Sequence, residues 1–211
     1  MTFIIGIDAD STMYDLMNPW LDLFSQRTNR PRVDVSTVKE YNPHLCLGED
    51  GTQLSYEDEV LFYSLLEEPG LFENLPLYKG AKEALIALYN MPDTLVYIVS
   101  APNGPQCAKD KLIAFKRDFP FLNKKNIMLV HHKHHLNLDV MIDDSTDVIK
   151  KFSDRTLKLG IMQPWNINHS EYWHSLVASY QDTEKAWDRI VNIIRAFRKV
   201  KESHSVLNGK A

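Results

Sequence analysis

The stretch Phe3-Ile4-Ile5-Gly6-Ile7-Asp8-Ala9-Asp10-Ser11-Thr12 decides how this chain is read. Its first half is a short, continuous apolar run, the pattern of a strand covered on both faces. The run ends in two carboxylates one residue apart. A buried strand carries no charge without a reason, and two like charges this close raise each other's pKa. A cation between them would account for the pair. So would a division of labour in which one carboxylate attacks and the other handles a proton. In open parallel sheets, sites form outside the carboxyl ends of the strands. Asp8 and Asp10 stand where that rule puts chemistry.

Further strand-like runs follow. One at 94–99 ends at Ser100, one lies at 127–130, one at 140–142 ends at Asp143-Asp144, and a weaker fifth lies at 157–161. Helical patterns alternate with them at 81–91, 106–119, 145–152 and 183–200. The last carries the clearest stripe, Trp187, Ile190, Val191, Ile194 and Phe197, with charges opposite. Strands alternating with helices predict an α/β fold, a Rossmann-like doubly wound parallel sheet.

The stretch from about residue 15 to 75 breaks that rhythm. It holds a helical pattern at 13–26, an irregular middle with Pro31, Pro43, Gly48 and Gly51, and a second helix at 56–66. Ser55 and Asp58 form a capping-box pattern, and Glu67-Glu68-Pro69-Gly70 stops the helix. The segment reads as a small helical cap inserted after the first strand, over the site. The expected organisation is a core at 1–14 and 76–201, a cap at 15–75 and a flexible polar tail at 202–211.

Composition bounds the partners. The chain has 211 residues, 44% of them hydrophobic, enough for a sizeable core. Its net charge of -4 offers no global basic field to a long nucleic acid or an anionic membrane. Cys46 and Cys107 are far apart, which gives neither a disulfide framework nor a metal spacing. No apolar run approaches the roughly 20 residues that span a bilayer, and no basic segment precedes the first apolar stretch as in a signal peptide. A soluble, cytoplasmic protein is expected.

In a parallel sheet, Asp8, Asp10, Ser100, Asp143 and Asp144 converge on one edge, with Lys133 in a loop after the third strand. Carboxylates from two strand ends can hold Mg²⁺, which prefers oxygen ligands. Lys133 and the Ser100 hydroxyl can hold a phosphate opposite the metal. Backbone N–H groups after Ser100, starting with Ala101, can add to that cradle at a helix N-terminus. Asp8 would then be the nucleophile of an aspartyl-phosphate route, and Asp10 the acid and base.

These residues carry a resemblance. Asp8-Ala9-Asp10-Ser11-Thr12 is similar to the D-x-D-x-T signature of the haloacid-dehalogenase superfamily, and Ser100, Lys133 and Asp143-Asp144 fall where it places its other motifs. Glu68-Pro69-Gly70-Leu71-Phe72, Leu77-Tyr78-Lys79-Gly80-Ala81, Met91-Pro92-Asp93-Thr94 and the spacing of Lys133 to Asp144 resemble the 5′(3′)-deoxyribonucleotidases. The resemblance covers about residues 3–16 and 68–144, with a fainter echo at Pro164-Trp165-Asn166. It implies Asp8 as nucleophile, Asp10 as acid and base, and Ser100 and Lys133 as phosphate ligands. It implies Mg²⁺ on the Asp8 and Asp144 side chains and the Asp10 backbone carbonyl, with Asp143 just behind. There are departures: Ser11 and Thr12 replace the usual glycine and valine, Ala101 replaces a second hydroxyl, and residues 28–55 do not align.

Plainer readings stand beside these. His131-His132-Lys133-His134-His135 reads as a solvated loop flanking Lys133 rather than a metal site, since adjacent histidines point in different directions. Trp20, Phe24, Tyr41, Phe62 and Tyr63 read first as cap core, Trp165 as packing or pocket wall, and Cys107 as a plain helix residue. The expected substrate is a deoxyribonucleoside monophosphate. The rivals are another small phosphate ester (a sugar phosphate or a 3′-phosphate end), dehalogenation, which needs neither Asp10 nor Asp144, and a catalytically silent nucleotide-binding protein. Whether the chain forms a homodimer is left open.

Overall fold

The computed structural model describes residues 2–208, the last five as backbone only. Six strands form one parallel sheet in the order β3-β2-β1-β4-β5-β6: β1 Phe3–Ile7, β2 Thr94–Ser100, β3 Ile127–Leu129, β4 Val140–Ile142, β5 Leu157–Met162 and β6 Ser175–Ser179. The five predicted runs are present. The sixth strand, Ser-Leu-Val-Ala-Ser, was not read from the sequence: only Val177 is buried, so it lacks the apolar run that marked the others.

β1 lies between β2 and β4, with Ile7 opposite both Ile98 and Ile142. Ile5, Ile7, Val96, Ile98, Val140 and Ile142 are completely buried, as expected for strands covered on both faces. Helices α3 (Ala81–Tyr89), α4 (Pro105–Asp118), α5 (Thr146–Ile149) and α6 (Thr183–Asn208) follow in sequence. The α6 stripe of Trp187, Ile190, Val191 and Ile194 is core, and Phe197 meets Phe3 with ring centroids 6.3 Å apart. The helix runs on to Asn208, past the end expected at residue 200, so the polar stretch from 202 starts as helix rather than tail. Residues 209–211 lie outside the described residues.

Between β1 and α3 the chain forms α1 (Met17–Thr28), α2 (Tyr56–Ser64) and several one-turn helices, with no strand. α1 starts four residues later than its pattern suggested, because residues 13–16 turn away from β1: the Met13 and Tyr14 N–H groups both donate to Ala9 O. Ser55 caps α2, accepting from Asp58 N at 3.2 Å. Trp20 stacks on Phe62 at 3.9 Å and Phe24 meets Phe62 edge-on, which gives this helical cap a small core of its own.

Candidate active site

The strand ends meet as the parallel arrangement requires. Asp8 N donates to Ile142 O, Val130 N to Ser100 O, and Asp143 N to Leu159 O, so Asp8, Ser100 and Asp143 leave the ladder at one edge. After Asp10 the backbone turns sharply. Ser11 sits at φ 54, the left-handed region that glycine enters without cost and serine does not. Gln163 Nε2 donates to Ser11 O at 2.7 Å and pins the turn.

Three carboxylates gather here. Asp8, Asp143 and Asp144 each present an oxygen within 4.8 Å of the others, and all three are buried. Lys133 is buried among them, with Nζ 2.6 Å from Asp8 Oδ1 and 2.8 Å from Asp143 Oδ2. Burial opposes the Lys133 charge, yet Asp143 and Asp8 outweigh it and raise its pKa above the usual lysine value. One cation does not balance three carboxylates. Burial, followed by the charges of Asp143 and Asp8, pushes the Asp144 carboxyl well above its ordinary range. Burial pushes Asp143 up to about 7, with Lys133 pulling it down and Asp8 adding to the rise.

The carboxylates are also aimed. Trp165 Nε1 donates to Asp144 Oδ2 at 2.9 Å, Thr12 Oγ1 approaches Asp144 Oδ1 at 3.5 Å, and Ser145 N donates to Asp143 Oδ1 at 2.9 Å. Trp173 Nε1 donates to Asp143 O at 3.0 Å across Gly160, where a Cβ would stand 2.6 Å from that nitrogen. Clustered hard oxygen donors carrying excess negative charge fit a divalent cation of the Mg²⁺, Mn²⁺ or Ca²⁺ kind.

Asp10 faces elsewhere. Its carboxylate pairs with Lys111, which also donates to Ser100 Oγ at 2.9 Å and Ala101 O at 3.0 Å. Burial raises the Asp10 pKa and Lys111 opposes the rise. The acidic cluster is therefore Asp8, Asp143 and Asp144. The carboxylate of Asp10 is outside it, and Asp143, expected just behind, is inside.

Lys111 was missed in the sequence. The signal was there: on α4, Cys107, Asp110, Lys111, Ala114 and Phe115 are all buried, so two charges stand in the core-facing stripe of the helix. A second expectation needs correcting. The N-terminus of α4 is not open to a phosphate, because Glu67 takes its N–H groups: Gln106 N donates to Oε2 at 2.9 Å and Cys107 N to Oε1 at 3.2 Å.

A cavity of about 230 Å³ opens over these groups, with Asp8, Asp10, Ala101, Lys133 and Asp144 on its floor. The cap adds Trp20, Tyr41, Asn42 and Tyr63 to its lining. Ser100 is fully buried and is not part of the lining. Tyr41 is 41% exposed, but its hydroxyl end turns toward Ser145 and feels the charges of the acidic cluster. Burial and then the charges of Asp144 and Asp143 raise its pKa. Trp20 is thus both cap core and pocket wall, and Trp165 is both wall and Asp144 ligand. His131, His132 and His135 are exposed, as a solvated loop requires, although His131 edges the cavity. Burial pushes the Cys107 thiol up, as for an ordinary buried helix residue.

Residues 2–195 match the family model described as "5′ nucleotidase, deoxy (pyrimidine), cytosolic type C protein". A 5′(3′)-deoxyribonucleotidase of Clostridium acetobutylicum is 30% identical over 152 residues, 70% of this chain and 76% of that protein. One from Bacillus subtilis is 27% identical over 173 residues, 82% of this chain and 92% of that protein. Among solved structures, a haloacid-dehalogenase-like protein of Agrobacterium tumefaciens superposes with a TM-score of 0.56 at 15% identity, covering 92% of this chain and 100% of that one. A haloacid-dehalogenase-like hydrolase of Streptococcus pneumoniae gives 0.55 at 14% identity, covering 86% and 96%. With its parallel sheet, its strand-end carboxylates and a match along nearly its whole length, the chain belongs to this deoxy-type 5′-nucleotidase family and has the haloacid-dehalogenase fold.

Proposed function

We propose that this protein, a phosphatase by family, is a Mg²⁺-dependent phosphomonoesterase that converts deoxyribonucleoside monophosphates to nucleoside and phosphate. The observation that carries the reading is Asp8 paired to Lys133 within a buried acidic cluster, on the floor of a cavity walled by the cap. The side chains of Asp8 and Asp144 and the backbone carbonyl of Asp10 would hold Mg²⁺, with Asp143 orienting from beside them. Bound there, the metal would supply positive charge against the phosphoryl oxygens.

Asp8 attacks phosphorus, the bond to the ester oxygen breaks, and Asp10 delivers a proton to that oxygen. Water then attacks the aspartyl-phosphate, Asp10 takes a proton from it, and phosphate leaves with Asp8 restored. Lys133 neutralises charge on the transferring group, where electrostatics dominates the barrier. Ala101 borders the phosphate position, with Ser100 buried behind it on Lys111. The nucleoside would lie against the cap wall, which has ring faces in Trp20, Tyr41 and Tyr63 and an amide in Asn42 for base edges. We place the cap at 15–75 on a core of 1–14 and 76–201. Among the described residues no helix is long and apolar enough to cross a membrane. A cytoplasmic place in nucleotide metabolism suits the family.

The test is phosphate release from deoxy- and ribonucleoside 5′- and 3′-monophosphates and from sugar phosphates. Preference for deoxynucleotides is expected. Release from sugar phosphates alone would keep the chemistry and discard the substrate.

A further inference from the structure

We propose that Lys111 is a positioning residue for the reaction: through one buried ammonium it fixes the Asp10 carboxylate relative to Ser100 and Ala101. The inference rests on the phosphatase reading above. Lys111 is 2% exposed and does not line the cavity, so it reaches no substrate directly. Its three donors are spent on Asp10, on Ser100 Oγ at 2.9 Å and on Ala101 O at 3.0 Å. An ammonium has three hydrogens, so this set uses them all. It ties the loop after β1 to the end of β2, the two segments that must face each other across a leaving group.

The helix that carries Lys111 is anchored from the base of the cap. Phe72 lies under the ammonium, with its ring centroid 4.7 Å from Nζ. Gly70 N donates to Asp110 Oδ2 at 2.7 Å, and Glu67 closes the α4 N-terminus. The returning end of the cap thus fixes α4, α4 fixes Lys111, and Lys111 fixes Asp10. A buried lysine would be a poor choice for simple packing, since an apolar side chain of similar length avoids the cost of desolvating a charge. Its retention here is explained by what it holds in place.

The experiment compares Lys111→Met and Lys111→Arg with wild type on a deoxynucleoside monophosphate and on p-nitrophenyl phosphate. The nucleoside is a poor leaving group that needs a proton from Asp10, whereas p-nitrophenolate leaves without one. Lys111→Met is expected to lower kcat on the nucleotide by about 10²-fold, within the range ascribed to positioned acid–base groups. The loss on p-nitrophenyl phosphate is expected to be severalfold, with KM little changed on either. Lys111→Arg, which keeps the charge and protects folding, is expected to show the same selectivity with a smaller loss. In an Asp10→Asn background, Lys111→Met is expected to change p-nitrophenyl phosphate turnover less than about twofold, as residues acting as a unit do. Equal losses on both substrates in folded variants, or full additivity with Asp10→Asn, would overturn the role of Lys111 alone. A wild type inactive on both esters would instead overturn the phosphatase reading, and this inference with it.

Discussion

Lys133 Nζ lies 2.6 Å from Asp8 Oδ1 and 2.8 Å from Asp143 Oδ2, so a single buried cation bridges the ends of β1 and β4. Removing it leaves the buried Asp8 and Asp143 carboxylates without an ion-pair partner among the described residues. Breaking a buried pair in this way costs about 3–5 kcal/mol. Lys133→Met is therefore expected to unfold at markedly lower denaturant in EDTA, with part of the loss recovered in Mg²⁺. Chemical denaturation in the two buffers checks this, and an unchanged midpoint would deny Lys133 its bridging role.

The pH response follows from the same cluster. Asp143 is held at about 7, above its ordinary 3.8, by burial first, and Asp144 is raised in the same direction. A carboxyl group raised in this way keeps a proton in the folded state that the unfolded chain has released. Its contribution to stability therefore falls as pH rises from about 4 to about 7. A divalent cation needs the ionised forms, so its stabilising effect grows across the same window. Saturating Mg²⁺ is expected to raise the melting temperature more at about pH 8 than at about pH 5, the ceiling being near 2.7 kcal/mol at a hundredfold excess over Kd. An equal or reversed effect would place the ion elsewhere.

Trp165 Nε1 donates to Asp144 Oδ2 at 2.9 Å. Trp165→Phe keeps an aromatic ring but loses the donor. Groups that orient a metal-binding carboxylate typically contribute 10- to 100-fold in affinity. A Mg²⁺ titration of the rate is expected to shift to higher concentration by about that factor, with kcat at saturation largely kept.

Gly160 on β5 allows Trp173 to reach the Asp143 carbonyl. A Cβ there would stand 2.6 Å from Trp173 Nε1 and 2.8 Å from Asp143 O. Gly160→Ala is expected to cost about 1–3 kcal/mol, the usual range for overpacking. In a chain of this size that corresponds to a fall of roughly 2–4 °C in Tm per kcal/mol. A thermal melt reads it directly.

The sequence made the sheet legible because β1, β2 and β4 read as unbroken apolar runs, and β5 as a weaker one interrupted by Lys158. β6 did not, since its pattern is half exposed. Asp8, Asp143 and Asp144 were readable because charge directly after an apolar strand is rare enough to mean something. Lys111 and Glu67 were not, because one lies inside a helical pattern and the other in the segment that stops a helix, and each acts on a partner at least 39 positions away. A helix stripe records that a side chain faces inward but not what it meets there. Trp165 could be read as packing or wall but not as a donor to Asp144, for the same reason. The division between Asp10 on Lys111 and Asp8 and Asp143 on Lys133 is a property of three-dimensional placement, with no counterpart in the spacing of the residues.

The most direct test of the central claim is phosphate release from a deoxynucleoside 5′-monophosphate by wild type and Asp8→Asn, each with Mg²⁺ and with EDTA. Release by wild type in Mg²⁺, and the blank rate in the other three samples with Asp8→Asn still folded, is the predicted result. Sustained release by Asp8→Asn, or by wild type in EDTA, would contradict it.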